Sequence, residues 1–287
     1  MSAVTTPTGV LLGQFTPGSK EWDEARAGLC ITATEIAAVM GLSPWSNLFV
    51  LWHKKSGLPV PPFVVTPQVE WGSRLEPAVA QKFADEHPEI ELHDTGTWRH
   101  RDRAWQRATP DRIASDRLLE VKTSPTGEGW ENGVPLHYHC QIQWQLDTLG
   151  LDLCHIAVLI SGHDYREYEV EYDADDAKLM REAAVEFLDT VRRGERPDID
   201  DSAATYDTIR RQADRFDDID VDIPGPIASR YEVTHQQLKA VEAEHGQAKS
   251  LLLDALGTGR NAMHLGRRIA YRTAHEDGTT RALQPAR

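Results

Sequence analysis

Cysteine is scarce in this chain of 287 residues: Cys30, Cys140 and Cys154 are widely spaced and form no Cys-x-x-Cys pair. That excludes a disulfide framework and a four-cysteine metal cluster, and leaves three reduced, buried thiols as the expectation. Long hydrophobic runs are also missing. None approaches the roughly 18 residues of a membrane-spanning helix, and the first eight residues lack the basic start and apolar centre of a signal peptide, so a cytoplasmic protein is expected. Positive charge is in short supply. Against 45 Asp+Glu stand 31 Lys+Arg, a net charge of −14, which argues against a protein that holds nucleic acid by bulk attraction. The deficit is uneven: residues 1–168 carry 14 Lys+Arg against 21 Asp+Glu, residues 169–222 carry 8 against 18, and residues 223–287 carry 9 against 6. An acidic exterior with a local basic groove stays compatible with DNA chemistry. With 40% hydrophobic and 26% charged residues, the chain has the composition of a globular protein with one substantial core and a smaller appendage.

What is there is concentrated between Thr109 and Thr123. Pro110-Asp111 opens the stretch, Ser115-Asp116-Arg117 makes a polar corner, and Leu118-Leu119-Glu120-Val121-Lys122 alternates apolar and charged residues, which predicts strand, turn and strand. Residues two apart on a strand share a face, so Glu120 and Lys122 project together, with Leu119 and Val121 on the other side. A hairpin closing at 115–117 sets Asp111 across from that pair. Crowded carboxylates repel unless a cation lies between them or one is protonated. Mg²⁺ is the obvious partner, since it takes oxygen ligands from one or two carboxylates together with phosphate oxygens. Lys122 would then orient, or help to deprotonate, an attacking water. A surface hairpin with an ordinary Glu–Lys pair is the competing interpretation.

The full arrangement, Pro110-Asp111 followed by Glu120-Val121-Lys122, resembles the PD-(D/E)xK nuclease motif as it occurs in phage lambda-type exonucleases, the YqaJ-like viral recombinases. The resemblance extends over roughly residues 20–193, with further motifs in the family's order. Arg26 and Ile31-Thr32-Ala33-Thr34-Glu35 are similar to the family's first motif, which implies a pocket for a terminal 5′-phosphate at Arg26, Thr32 and Thr34. Thr34 stands where serine is usual, and the gap after Arg26 is one residue longer. From residues alone, Thr32 and Glu35 form a capping box, and an ordinary cap beside a surface arginine is the simpler explanation, because capping boxes are common. Trp71-Gly72-x3-Glu76 resembles the segment that supplies a further carboxylate, although by position Glu76 also suits a solvated helix edge. Tyr138-His139-Cys140-Gln141-Ile142-Gln143 resembles the Tyr-x-x-Gln-x-Gln helix from which the first Gln reaches the active site. Tyr138, Gln141 and Gln145 share one helical face, which without the family reads as a plain polar face.

The expected fold is α/β: a restriction-endonuclease-like core with a central mixed sheet flanked by helices, plus a C-terminal helix and hairpin. Domains are expected at 1–194 for the exonuclease, 195–225 for an acidic linker rich in Asp and Pro, and 226–287 for the extension. Predicted helices run from Ser19 to Arg26, from Thr32 to Gly41, from Asn47 to Lys55, from Pro67, from Leu136, from Asp173 to Arg193 and from Ile227 to Leu256. The resemblance implies 5′→3′ digestion of duplex DNA ends, leaving a 3′ single strand for recombination in the cytoplasm of a bacterial host. Asp111, Glu120, the Val121 carbonyl and Glu76 would hold two Mg²⁺ ions, with Mn²⁺ as a substitute, while Lys122 and Gln141 position the water. A single-strand annealing protein and a trimeric ring are the partners that the family implies. Two alternatives stay open at this point: an endonuclease or single-strand nuclease of the same fold, and a non-catalytic DNA-end or protein-interaction module.

Overall fold

The computed structural model describes residues 5–213 and 215–286. They form two compact units, divided between Phe216 and Asp217. No helix among the described residues is long and apolar enough to cross a membrane.

In the first unit the chain runs β1 (Gly9–Gly13), α1 (Lys20–Arg26), β2 (Ile31–Thr32), α2 (Ala33–Val39), α3 (Leu48–Lys55) and α4 (Pro67–Glu86). Then come β3 (His93–Asp94), β4 (Thr97–His100), β5 (Gln106–Ala108), β6 (Arg112–Ile113), β7 (Arg117–Ser124), α5 (Leu136–Leu149), β8 (Leu153–Ile160), β9 (Asp164–Glu171), α6 (Ala174–Arg193) and α7 (Ala203–Ile209). The helices start where the sequence supplies caps. Ser19, Asn47, Thr66, Asp173 and Ser202 each accept a hydrogen bond from a first-turn N–H. Pro67 opens α4 at the one turn where its missing donor costs nothing.

A mixed five-stranded sheet, in the order β3-β6-β7-β8-β9, is the centre of the unit. β7 and β8 are parallel, joined through α5, and both faces are covered. One face carries Leu118, Ile156 and Val158 into the main core with Ile142, Trp144 and Leu146 of α5, Ile36 of α2 and Phe187 of α6. The other carries Leu119, Val121 and Ala157 against Val79, Ala80 and Phe83 of α4. Burying Val79 and Phe83 contributes roughly 1.5–3 kcal/mol each, and Ala80 adds less. A second sheet, β1-β4-β5-β2, stands beside the first. The chain leaves it at Ala108 and enters the five-stranded sheet at Arg112, with Thr109, Pro110 and Asp111 between.

Two expectations change. The stretch before Ser19, where no element is predicted, contains β1, which pairs antiparallel with β4 from Gly9↔His100 to Gly13↔Thr97; its partner lies some 90 residues away, so nothing local announces it. The stretch expected as a linker, 195–225, contains α7, whose Thr205 and Thr208 are buried. Asn47 donates from Nδ2 to Asp200, Ser202 and Thr205 at 2.7–2.8 Å, tying this segment to the start of α3.

The second unit consists of α8 (Gly225–Leu256) and the sheet β10 (Asn261–His264), β11 (Arg267–Ala274) and β12 (Thr280–Pro285). The predicted terminal hairpin is β11–β12, and β10 adds a strand to it. Leu252, Leu253 and Leu256 pack on Ala262, Ala270 and Leu283. Tyr231, Leu238 and Val241 farther up this helix are exposed, because the small sheet packs only against the helix end.

Candidate active site

The site is built outward from β7. Leu118 faces α5, and Glu120 and Lys122 follow it to that side, as the two-residue period of a strand requires. β6 begins at Arg112, paired with Leu119, so Asp111 just before it stands across from Glu120. Asp111 Oδ2 accepts from the Val121 N–H at 2.7 Å. The Val121 carbonyl leaves the strand along that same edge.

Glu120 is 2% exposed, and its charge is met on all sides. Lys122 Nζ and Gln141 Nε2 donate to Oε1, and Gln145 Nε2 donates to Oε2 at 2.9 Å. Gln141 and Gln145 lie one turn apart on α5, whose opposite side is locked into the core by Trp144 and Leu146. Lys122 Nζ also lies over the Tyr138 ring, 4.9 Å from its centroid. Glu76 reaches in from α4 and pairs with Arg112 Nη1 at 2.9 Å. That guanidinium bonds the Asp111 carbonyl at 2.6 Å and Asp94 at 3.0 Å as well.

The electrostatics are unbalanced toward negative charge. Burial, and then the charge of Glu120, push Asp111 well above the ordinary aspartate pKa, with Lys122 opposing and Glu76 adding to the repulsion. Burial alone would lower the Lys122 pKa, but Glu120 and Asp111 outweigh it and hold the ammonium above the usual lysine range. Among the described residues, no hydrogen bond reaches Asp111 Oδ1. Crowded, under-compensated oxygen donors of this kind fit a hard divalent cation. No three His, Cys, Asp or Glu side chains among the described residues are grouped as they stand, Glu76 being paired with Arg112.

The residues expected at the 5′-phosphate come together only in part. Arg26 donates to Thr34 Oγ1 at 2.9 Å and to Thr109 Oγ1 at 3.2 Å, and its guanidinium covers the Trp22 ring at 4.2 Å. Burial lowers its pKa. Thr34 is exposed, and besides Arg26 its hydroxyl meets that of Thr32 at 3.2 Å. Thr32 is 1% exposed, and its hydroxyl donates to Glu35 at 3.0 Å, so it serves the helix start instead of presenting itself to a ligand. Glu35 closes the capping box on the Thr32 N–H and binds Lys54 and Lys55, both at 2.8 Å. Its pKa falls to about 2: burial opposes the drop, and the two lysines overcome it.

Sequence reasoning left out three residues of this neighbourhood. Gln145 was signalled by its place one turn beyond Gln141. Thr109 was signalled by opening the motif stretch, two residues before Asp111. Nothing marked Arg112.

Residues 21–152 match the model of the YqaJ-like viral recombinase domain. Among solved structures, an alkaline exonuclease from Laribacter hongkongensis, LHK-Exo, superimposes with a TM-score of 0.52 at 19% identity, over 62% of this chain and 94% of that one. The same enzyme in complex with dAMP gives 0.51 at 19% identity over the same shares. At such identity the likeness shows a common fold. No curated protein sequence gives a significant match.

Proposed function

We propose, on the premise that residues 21–152 of this chain are a YqaJ-like viral recombinase domain, that the protein is a metal-dependent DNA exonuclease that digests duplex ends 5′→3′. The observation that carries this reading is the meeting of Asp111, Glu120 and Lys122 at the free edge of β7, with Glu120 fixed by Gln141 and Gln145. Asp111, Glu120 and the Val121 carbonyl would hold Mg²⁺, with Glu76 available once released from Arg112. A bound pair of such ions would supply charge stabilisation for attacking and leaving oxygens.

The chain's own groups do the positioning. Lys122 keeps its proton beside Glu120, so it donates, orienting the water and a phosphate oxygen. Gln141 holds Glu120 in place from the buried side. The water oxygen gives a proton to solvent and bonds to phosphorus, the bond from phosphorus to the 3′-oxygen breaks, and that oxygen takes up a proton from solvent. The remaining strand then begins with a 5′-phosphate. Arg26, Thr34 and Thr109 are arranged to receive such a dianion, by charge-assisted hydrogen bonds of roughly 1.5–3 kcal/mol each.

The test is digestion of linear duplex labelled at its 5′ or 3′ ends, with Mg²⁺ and with chelator. Release of 5′ label first, faster from 5′-phosphate than from 5′-hydroxyl ends and lost in Lys122→Ala, is the expected result. Cutting of covalently closed circles would point to an endonuclease, and full activity of Lys122→Ala would defeat the site assignment.

A further inference from the structure

A cleft of about 910 Å³ runs past Glu76, Asp111 and Lys122, and its walls are unexpectedly apolar. Trp45, Phe63, Val64 and Val69 all line it and are 69%, 79%, 67% and 40% exposed. A lone exposed tryptophan needs no explanation, but four large apolar side chains gathered beside the charged residues of one cleft mark a contact surface.

Trp45 is held there by its surroundings. Its turn is pinned by the Ser43 hydroxyl, which accepts from the N–H groups of Trp45 and Ser46, both at 3.2 Å. Its ring meets His137 edge-on at 4.8 Å and Tyr138 at 5.9 Å, and Tyr138 in turn meets the buried Trp130 at 5.6 Å. A column of rings therefore runs from the core to the surface and ends in an indole open to the cleft. Tyr138 is also the ring under Lys122 Nζ, so this indole sits two ring contacts from the proposed chemistry.

We infer that Trp45 is a stacking platform for a nucleobase next to the scissile phosphate, seated on His137 and Tyr138; this rests on the nuclease reading above. Every base has a π-face, so stacking grips DNA without regard to sequence. It also supplies affinity that salt does not screen, which suits a chain of net charge −14.

The experiment uses the full-length protein and linear duplexes carrying an abasic residue at the first or second position of the digested strand. Binding is read by fluorescence anisotropy in chelator, and digestion in Mg²⁺. Trp45→Ala should weaken binding of intact duplex roughly tenfold, in line with one lost base stack, and Trp45→Phe should keep most of the affinity. The abasic residue should cost wild type a similar factor and cost Trp45→Ala nothing more. If Trp45→Ala fails to fold by circular dichroism, Trp45→Phe against Trp45→Leu carries the same comparison, with Leu expected to behave as the loss. An abasic penalty equal in wild type and variant overturns the platform and leaves the nuclease standing. Wild type that never digests linear duplex overturns the nuclease reading itself.

Discussion

Glu35 answers to both the helix start and the lysines of α3, and its chemistry gives a prediction independent of catalysis. Its pKa in the folded chain is about 2 against an ordinary 4.5, a difference on the order of 3 kcal/mol. Because the folded value is the lower one, this stability is present above about pH 4.5 and drains away as pH falls toward 2. Glu35→Gln should therefore be less stable than wild type at pH 7 by a few kcal/mol in urea unfolding. The gap should narrow by on the order of 1 kcal/mol at pH 4 and keep closing below it. A gap that ignores pH would mean that Lys54 and Lys55 contribute nothing through Glu35. At this scale the grouping of the candidate site was readable, since Asp111, Glu120 and Lys122 sit within one hairpin and two-residue periodicity places them. Bonds that span long stretches of chain were not. Arg112 to Glu76 crosses 36 residues and Arg26 to Thr109 crosses 83, and no local pattern encodes either.

The helices from α1 to α6 were legible from caps and apolar stripes, and the long strand β7 from alternation. β2, β3 and β6 have two residues each, too few to show any period, and their form depends on partners elsewhere. α7 is a seven-residue helix held by Asn47, which caps α3 through Oδ1 while donating to the α7 cap from Nδ2. Asn47→Ala removes both at once, with an expected loss of about 2–3 kcal/mol in thermal or urea unfolding. Asn47→Asp keeps the α3 cap but not the donors, so hydrogen exchange should rise at 203–209 and stay slow in α3. Protection of α7 in Asn47→Asp equal to that in wild type would show that it is held by other contacts.

For the whole molecule, the division after Phe216 predicts that residues 1–216 alone fold, unfold in one cooperative step and digest linear duplex at a measurable rate. An insoluble or inactive fragment would mean that the C-terminal unit completes the first. Composition marked the acidic passage between the units but not α7 within it, because seven residues are too few to show a helical period. The three residues that join the two sheets have a consequence of their own. Thr109 touches Arg26, Asp111 faces Glu120, and Pro110 between them has its φ fixed by its ring. Two residues of chain reach at most about 7 Å, so under the proposed function the link would hold the strand end and the bond to be cut a short, limited distance apart. A step of one nucleotide is the expected consequence. Product sizing in the first turnovers should show mononucleotides alone, and a ladder of longer fragments would mean that the stride is set elsewhere.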